Sequence, residues 1–297
     1  MIALAGAGGD LGGRIAKAIV GRGGNVTALV RPNATAAERA TIASSGATLK
    51  EADPADPRAL ARALEGATCV VSALSGLRPV MIDRQATLLH AAVEAGVRRF
   101  IPSDFSEEFT RTPSGLNRNL DLRREFMAVA DRANIQVTSI LNGAFMDMLG
   151  AEFPLIQPRI GRVLCWRSAD QPLDFTTKDD VAAYSAAAAL DTDTPRLLRI
   201  AGDSITVREL AAILTAIGSR TYRPMKVGTI GTLGLMIRVA RFLSPGREET
   251  FPPWQGMQYM RDMFSGAGKL EPLDNDRYPD VPFTRVRAYL TGLRARW

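Results

Sequence analysis

Short apolar runs recur along the first half of the chain, at residues 2–5, 25–30, 69–74, 98–102 and 136–141, each separated from the next by a segment of helical periodicity. Apolar runs without polar alternation are expected for strands buried on both faces. Their alternation with helices predicts a parallel sheet covered on both sides. The helix expected at 11–22 carries Leu11, Ile15, Ala18 and Ile19 on one stripe, and the helix at 82–95 carries Ile82, Ala86, Leu89 and Val93.

Past residue 152 the alternation fails. "EFPLIQPRIGRVL" is interrupted by proline, and a mixture of helices, strands and loops is expected to the C-terminus. The expected division is therefore a sheet domain over 1–152 and a smaller α+β part over 153–297, some of whose segments return to the sheet. Within that part, "TTKDDVAAYSAAAAL" (176–190) reads as a helix with Thr176 or Thr177 near its N-cap and Asp179 and Asp180 in its first turn. "ITVRELAAIL" (205–214) reads as a second helix, with Thr206 and Glu209 at capping-box spacing.

Between the first strand and the first helix stands Gly6-Ala7-Gly8-Gly9-Asp10-Leu11-Gly12, a G-x-x-G-x-x-G spacing. Glycines there let the chain turn sharply, bring the backbone close to a pyrophosphate and let the helix pack tightly, while the helix N-terminus offers free N–H groups. A Rossmann-like doubly wound α/β fold that binds a dinucleotide is expected. At the end of the second strand, "NVTALVRPN", a site for NAD(H) usually carries an acidic residue, and this chain carries Arg31. A guanidinium suits a 2′-phosphate, so NADP(H) is the expected cofactor, with Asn33 and Thr35 as neutral donors. In "EADPADPRAL", Asp53 is placed to face the adenine, and Asp56 is expected to cap the helix that begins at Pro57.

Composition narrows the picture without redirecting it. The 297 residues are 46% hydrophobic and 23% charged, as in ordinary globular proteins. The net charge of +6 is scattered without blocks of like charge, which reads as a solvated surface and not as a nucleic-acid footprint. Cys69 and Cys165 show neither disulfide nor metal spacing, so no metal site is expected. No leader and no apolar run of about 18 residues is visible, so neither secretion nor membrane spanning is inferred and a cytoplasmic location is expected. The nearest approach is "TIGTLGLMIRVARFL" (229–243), which contains Arg238 and Arg241 and reads as a pocket-lining or interface helix.

"QATLLHAAVEAGVRRFIPSDFSEEF" (85–109) and "NDRYPDVPFTRVRAYL" (275–290) resemble the isoflavone reductase-like branch of the NmrA-like, atypical short-chain dehydrogenases. With the glycine motif, "LVRP", "DRANIQVTSILNGAF" and "DFTTKDDVA", the resemblance covers nearly the whole chain. It implies an NADPH-binding Rossmann-like domain, a smaller C-terminal domain and a substrate cleft between them. Matched positions are Gly6, Gly9, Asp10, Leu11 and Gly12 at the phosphates, Arg31 at the 2′-phosphate, and Ala73, Leu74 and Ser75 along the ribose. Ser103 and Phe105 match positions beside the nicotinamide, with Asn142, Gly143 and Phe145 closing over it.

The chain departs from the family at one position. Reductases of this branch carry a catalytic lysine that counting back from Ile135 places at Arg123, and no lysine occurs from residue 51 to 177. A guanidinium stays charged, so Arg123 cannot serve as an ordinary general acid or base, although it can stabilise a developing enolate or phenolate. The Tyr-x-x-x-Lys pair of the wider group is also missing, the first tyrosine being Tyr184. His90 reads as a helix residue. Asp104, Glu107 and Glu108 order the loop after the fifth strand or supply a proton donor, according to their burial.

Two functions follow. One is an NADPH-dependent reductase of a conjugated or aromatic, mostly apolar small molecule, acting as a monomer or homodimer. Residues 225–264, rich in methionine and aromatics, would form either an adaptable apolar wall of its site or a plain core. The other function is a non-catalytic NADP(H)-sensing regulator.

Overall fold

All five apolar runs lie in strands of the computed structural model, which describes residues 1–150 and 155–293. Strands β1 (Ile2–Ala5), β2 (Val26–Val30), β3 (Thr48–Glu51), β4 (Cys69–Ser72), β5 (Arg99–Ile101) and β6 (Gln136–Val137) form one parallel sheet in the order β3-β2-β1-β4-β5-β6. Between them run α1 (Asp10–Gly21), α2 (Ala36–Ala43), α3 (Pro57–Leu64), α4 (Gln85–Glu94) and α5 (Arg118–Ala130). The chain leaves β1 toward one edge and returns to β4 on its other side. This is the topological switch point at which open α/β sheets hold ligands.

Alternate residues of each strand enter two cores. Ile2 and Leu4 pack with Ile15 and Ile19 of α1 and Ile42 of α2. Ala3 and Ala5 pack with Leu60 and Leu64 of α3, Leu88 and Leu89 of α4, and Phe126 of α5. Asp56 caps α3 through the N–H groups of Arg58 and Ala59, with Pro57 in the first turn. A π-helical turn, Pro79–Arg84, leads into α4. The edge strand β3 is "TLKE", largely exposed, which is why no apolar run marks it.

The later half returns to this sheet and also builds its own core. Strand β6 runs on, after Thr138, into β7 (Ser139–Leu141), followed by β8 (Ala144–Phe145). The boundary expected near residue 152 lies outside the described residues. Next come β9 (Ile156–Gln157), β10 (Arg162–Trp166), β11 (Leu173–Thr176) and α6 (Lys178–Leu190). Helix α6 is capped by Thr177, whose side chain accepts from the Asp180 N–H, and nine of its thirteen residues are buried because it lies on the sheet beside α1. Strand β12 (Leu197–Arg199) pairs in parallel with β7, adding a strand beside the end of the main sheet.

Strand β13 (Asp203–Ile205) joins β11 and β8 in a three-stranded sheet, and β14 (Arg223–Gly228) joins β10 and β9 in another. Helix α7 (Val207–Ile217) opens with the expected Thr206–Glu209 capping box. With α8 (Ile230–Leu243), α9 (Pro253–Ser265) and α10 (Val286–Gly292) it packs a third core around Trp166, Leu210 and Phe264. Trp254, Met260 and Met263 are buried, whereas Met225, Met236, Phe242 and Phe251 are exposed, so the methionine-rich segment is divided between core and surface. Both cysteines are buried and free. Among the described residues, no helix is long and apolar enough to cross a membrane.

Candidate functional site

The carboxyl ends of the parallel strands carry the sequence-predicted positions side by side, in the order of the sheet. Asp53 follows β3, Arg31 follows β2, the glycine turn follows β1, Ala73 to Ser75 follow β4, Ser103 and Phe105 follow β5, and Asn142 to Phe145 follow β7. Backbone and side-chain bonds tie these ends together. The Ala73 N–H donates to the Ala5 carbonyl at 2.9 Å, the Ser103 hydroxyl to the Leu74 carbonyl at 2.6 Å, and the Asn142 and Gly143 N–H groups to the Ser106 carbonyl at 2.9 and 3.1 Å.

In the first turn, Gly6 has φ +85°, and a Cβ built there would lie 2.6 Å from the Ala73 carbonyl oxygen. The Gly9 N–H donates back to the Gly6 carbonyl at 3.0 Å, and Gly9 caps α1 without a side chain, so the first-turn N–H groups face outward without a side-chain acceptor. Asp10 stands beside them between Arg14 (2.7 Å) and Lys178 (2.9 Å), which hold its carboxyl below the usual carboxylate range, Arg14 foremost. Leu11 packs its side chain on the core. A cavity of about 600 Å³ opens against the turn, between α1 and the end of α2.

Arg31 is exposed and makes one ion pair, with Glu38 at 3.3 Å, while Asn33 beside it is exposed. A second guanidinium, Arg39, fixes this turn by donating to the carbonyls of Arg31, Pro32 and Ala34 and pairing with Glu51 at 2.7 Å. Asp53 is turned into its own loop, its Oδ1 accepting from the Ala55 N–H.

Three residues that sequence reasoning did not single out organise the site. Gln85 is fully buried, and its Oε1 accepts from the Ser72 hydroxyl (2.7 Å) and the Ser103 N–H (2.9 Å), joining the ends of β4 and β5. Lys178 bridges Asp10 to Asp147 and lies 5.9 Å from the Phe145 ring centroid. Arg39 is the third. A glutamine among the apolar residues of a core helix is a signal that could have exposed Gln85.

Arg123, on α5, donates from Nη1 to the Asn119 carbonyl at 3.0 Å, and its buried Nε has no partner among the described residues. Its charge is felt by Asp104, Glu107 and Tyr259. The three acids after β5 have separate fates. Glu108 is paired with Arg199 at 2.6 Å, and Asp104 accepts from the Ser139 hydroxyl at 2.5 Å. Glu107 is 3% exposed, and among the described residues neither of its oxygens has a partner. Burial pushes its carboxyl well above the usual range, and Asp262 adds to this against the opposing charges of Arg261 and Arg123.

The sign of the resulting pH effect follows from linkage. A carboxyl that holds its proton more tightly folded than unfolded stabilises the fold below the unfolded value near 4.5, and that stability is lost as pH rises toward the folded value. Glu107→Gln keeps the shape and removes the titration. Thermal melts are expected to show the variant gaining on the wild type as pH rises from 5 to 9, by about 1–2 kcal/mol. A constant difference across that range would show that Glu107 is ionised in the fold.

Comparison with known proteins adds relatives on both sequence and structure. The NmrA-like family model matches residues 1–227. A bifunctional pinoresinol-lariciresinol reductase of Linum usitatissimum is 27% identical over 97% of both chains. The isoflavone reductase homolog IRL of Zea mays is 29% identical over 97% of this chain and 96% of its own. Among solved structures, AtPrR2 with NADP+ and (+)pinoresinol aligns with a TM-score of 0.79 at 24% identity, over 98% of this chain and 97% of that one. An isoflavone reductase aligns with a TM-score of 0.82 at 22% identity, over 98% of each chain.

Proposed function

Because the chain belongs to the NmrA-like family, we propose that it is an NADPH-dependent reductase of a conjugated or aromatic, mostly apolar small molecule. The observation that carries this reading is the continuous row of groups along the strand ends, from Asp53 to Phe145, with the side-chain-free glycine turn at its middle. Two observations support a fit to the cofactor: a Cβ at Gly6 would lie 2.6 Å from the Ala73 carbonyl oxygen, so only glycine lets the turn close against the end of β4, and among the described residues the buried Asn142 Oδ1 has no partner at the far end of the row.

Leu11 and Gly12 would hold the diphosphate on main-chain amides, with Gly6 and Gly9 letting the backbone approach it and Asp10 kept neutralised by Arg14 and Lys178. Arg31 and Asn33 would take the 2′-phosphate and Asp53 the adenine. Ala73, Leu74 and Ser75 would line the ribose. Ser103, Phe105, Asn142, Gly143 and Phe145 would orient the nicotinamide and exclude water from it. When bound, the reduced nicotinamide supplies a hydride. Arg123 would stabilise negative charge on the substrate oxygen, since a guanidinium offers charge and donors without giving up a proton.

The 2′-phosphate role has a direct test. Arg31→Ala is expected to weaken NADPH about tenfold, the loss of one exposed charge-assisted contact, and to leave NADH unchanged in calorimetric titrations. Equal losses for both nucleotides would remove the assignment.

Turnover is tested by following the absorbance of NADPH against enones, flavonoid-like compounds and quinones. Oxidation by at least one class is expected, and Arg123→Ala is expected to slow it at least tenfold at unchanged NADPH affinity. The arginine that stands at the family's lysine position favours a second reading, a nucleotide-sensing protein without turnover. NADPH binding with no oxidation by any class would select that reading.

A further inference from the structure

A second cavity, of about 420 Å³, opens between the segment that follows β4 and helices α5, α8 and α9. Four arginines reach it: Arg78, Arg118, Arg241 and Arg247. The two carboxylates on its wall are already engaged, Glu125 by both terminal nitrogens of Arg78 and Asp121 by Arg124 at 2.5 Å. Among the described residues Arg118 has no carboxylate partner. It donates to the carbonyls of Glu249 and Thr250 at 2.9 and 2.8 Å, and its guanidinium lies 4.7 Å from the Trp254 ring centroid. The Arg241 guanidinium lies 5.2 Å from the same ring. Among the described residues neither Arg241 nor Arg247 has an ion-pair partner.

Three guanidiniums thus line one cavity with no carboxylate partner among the described residues. Arg118 registers the tension, since burial and then the facing charge of Arg241 lower its proton affinity. Like charges gathered on one indole and one cavity raise the energy of the empty site and lower it when an anion enters. Leu77, Leu122 and the arginine stems supply the apolar part of the wall, beside Gly115 and the Gln258 amide, and the volume lies in the range of pockets for small organic molecules, about 300–1,000 Å³. Leu77 follows the strand-end segment 72–76 directly in the chain, and Leu122 precedes Arg123.

We propose that this cavity binds the carboxylate end of an organic anion with a flat apolar body, and that the substrate of the proposed reductase carries such a group. The site stands on its own geometry; its assignment to substrate rests on the reductase reading.

Calorimetry on the full chain tests both parts, with cinnamate as the organic anion, methyl cinnamate as its uncharged counterpart and inorganic phosphate as the bare anion. Cinnamate is expected to bind, the ester to bind at least tenfold more weakly, and phosphate to bind more weakly than cinnamate. Arg241→Gln and Arg247→Gln are each expected to weaken cinnamate about tenfold, and Glu125→Gln, which frees Arg78, to tighten it a few-fold. Arg247 is exposed and has no ion-pair partner among the described residues, so its variant reads binding with the fold intact.

An ester that binds as well as the acid, or arginine variants that bind cinnamate like the wild type, would overturn the anion site. Phosphate binding as tightly as cinnamate would overturn the organic-anion class. NADPH titrated into the same samples separates the two readings: intact NADPH heat with no cinnamate heat defeats the cavity alone, and absent NADPH heat defeats the reductase reading.

Discussion

Replacing Gly12 with alanine is expected to destabilise the protein by about 3 kcal/mol and to weaken NADPH at least a hundredfold. An ideal Cβ at this position lies 2.1 Å from the Gly6 carbonyl oxygen, 2.7 Å from its carbon and 3.1 Å from the Ala7 Cα, all of them backbone. No side chain can swing aside to make room, so α1 must move off the turn that it completes. The opposing term is helix propensity, which favours alanine over glycine by about 1 kcal/mol. It is outweighed because the clash is with two fixed peptide units. Gly21, at the other end of the same helix, is the control: nothing lies within 4 Å of a Cβ there, and Gly21→Ala is expected to melt at or above the wild-type temperature. A Gly12→Ala protein that melts with the wild type and binds NADPH normally would show that the turn adapts and that its closeness is not what holds the cofactor.

The contrast between Gly12 and Gly21 also shows what was legible in the sequence. Strands β1, β2, β4 and β5 were visible as short, mostly apolar runs because both of their faces are buried, and the glycine turn was visible because close backbone approach restricts the residue type. Helix α6 was recognised by its cap and acidic first turn, yet its place on the sheet was not. Burial on nearly all sides erases the stripe that would have aimed it. The strands of the C-terminal half are two to six residues long and pair with distant partners, as β14 does with β10, so their existence depends on contacts that no local pattern encodes.

The site divides in the same way. Residues whose type is dictated by the backbone or by a ligand charge, such as Gly6 and Arg31, could be placed from spacing. Residues whose role is to tie separate elements together, as Gln85 ties the ends of β4 and β5 and Lys178 ties Asp10 to Asp147, acquire it only when the fold forms. The three acids after β5 show the limit most directly. Adjacent in sequence and alike in chemistry, Glu107 and Glu108 become an unpartnered buried carboxyl and half of an ion pair, because one meets the backbone of Gly268 and the other meets Arg199.

Gln85→Leu is expected to be the most damaging single substitution, at about 3–5 kcal/mol, although it preserves size and adds apolar surface. The glutamine Oε1 accepts from the Ser72 hydroxyl and the Ser103 N–H, and its amide donates to the Met81 carbonyl at 3.2 Å. Leucine leaves all three groups in a dry interior, each costing about 1–3 kcal/mol when unpaired, while its transfer gain is small because Gln85 is already fully desolvated. Ser103 also positions Leu74 through its hydroxyl, so the ends of β4 and β5 should separate and NADPH affinity should fall with stability. A cycle with Ser72→Ala isolates the cause: removing the stranded hydroxyl is expected to return about 1 kcal/mol to the Gln85→Leu background, while in the wild-type background it costs stability. Strict additivity of the two substitutions in denaturant melts would mean that Gln85 acts by volume alone, and the polar tie between the two strand ends would have no part in shaping the cleft.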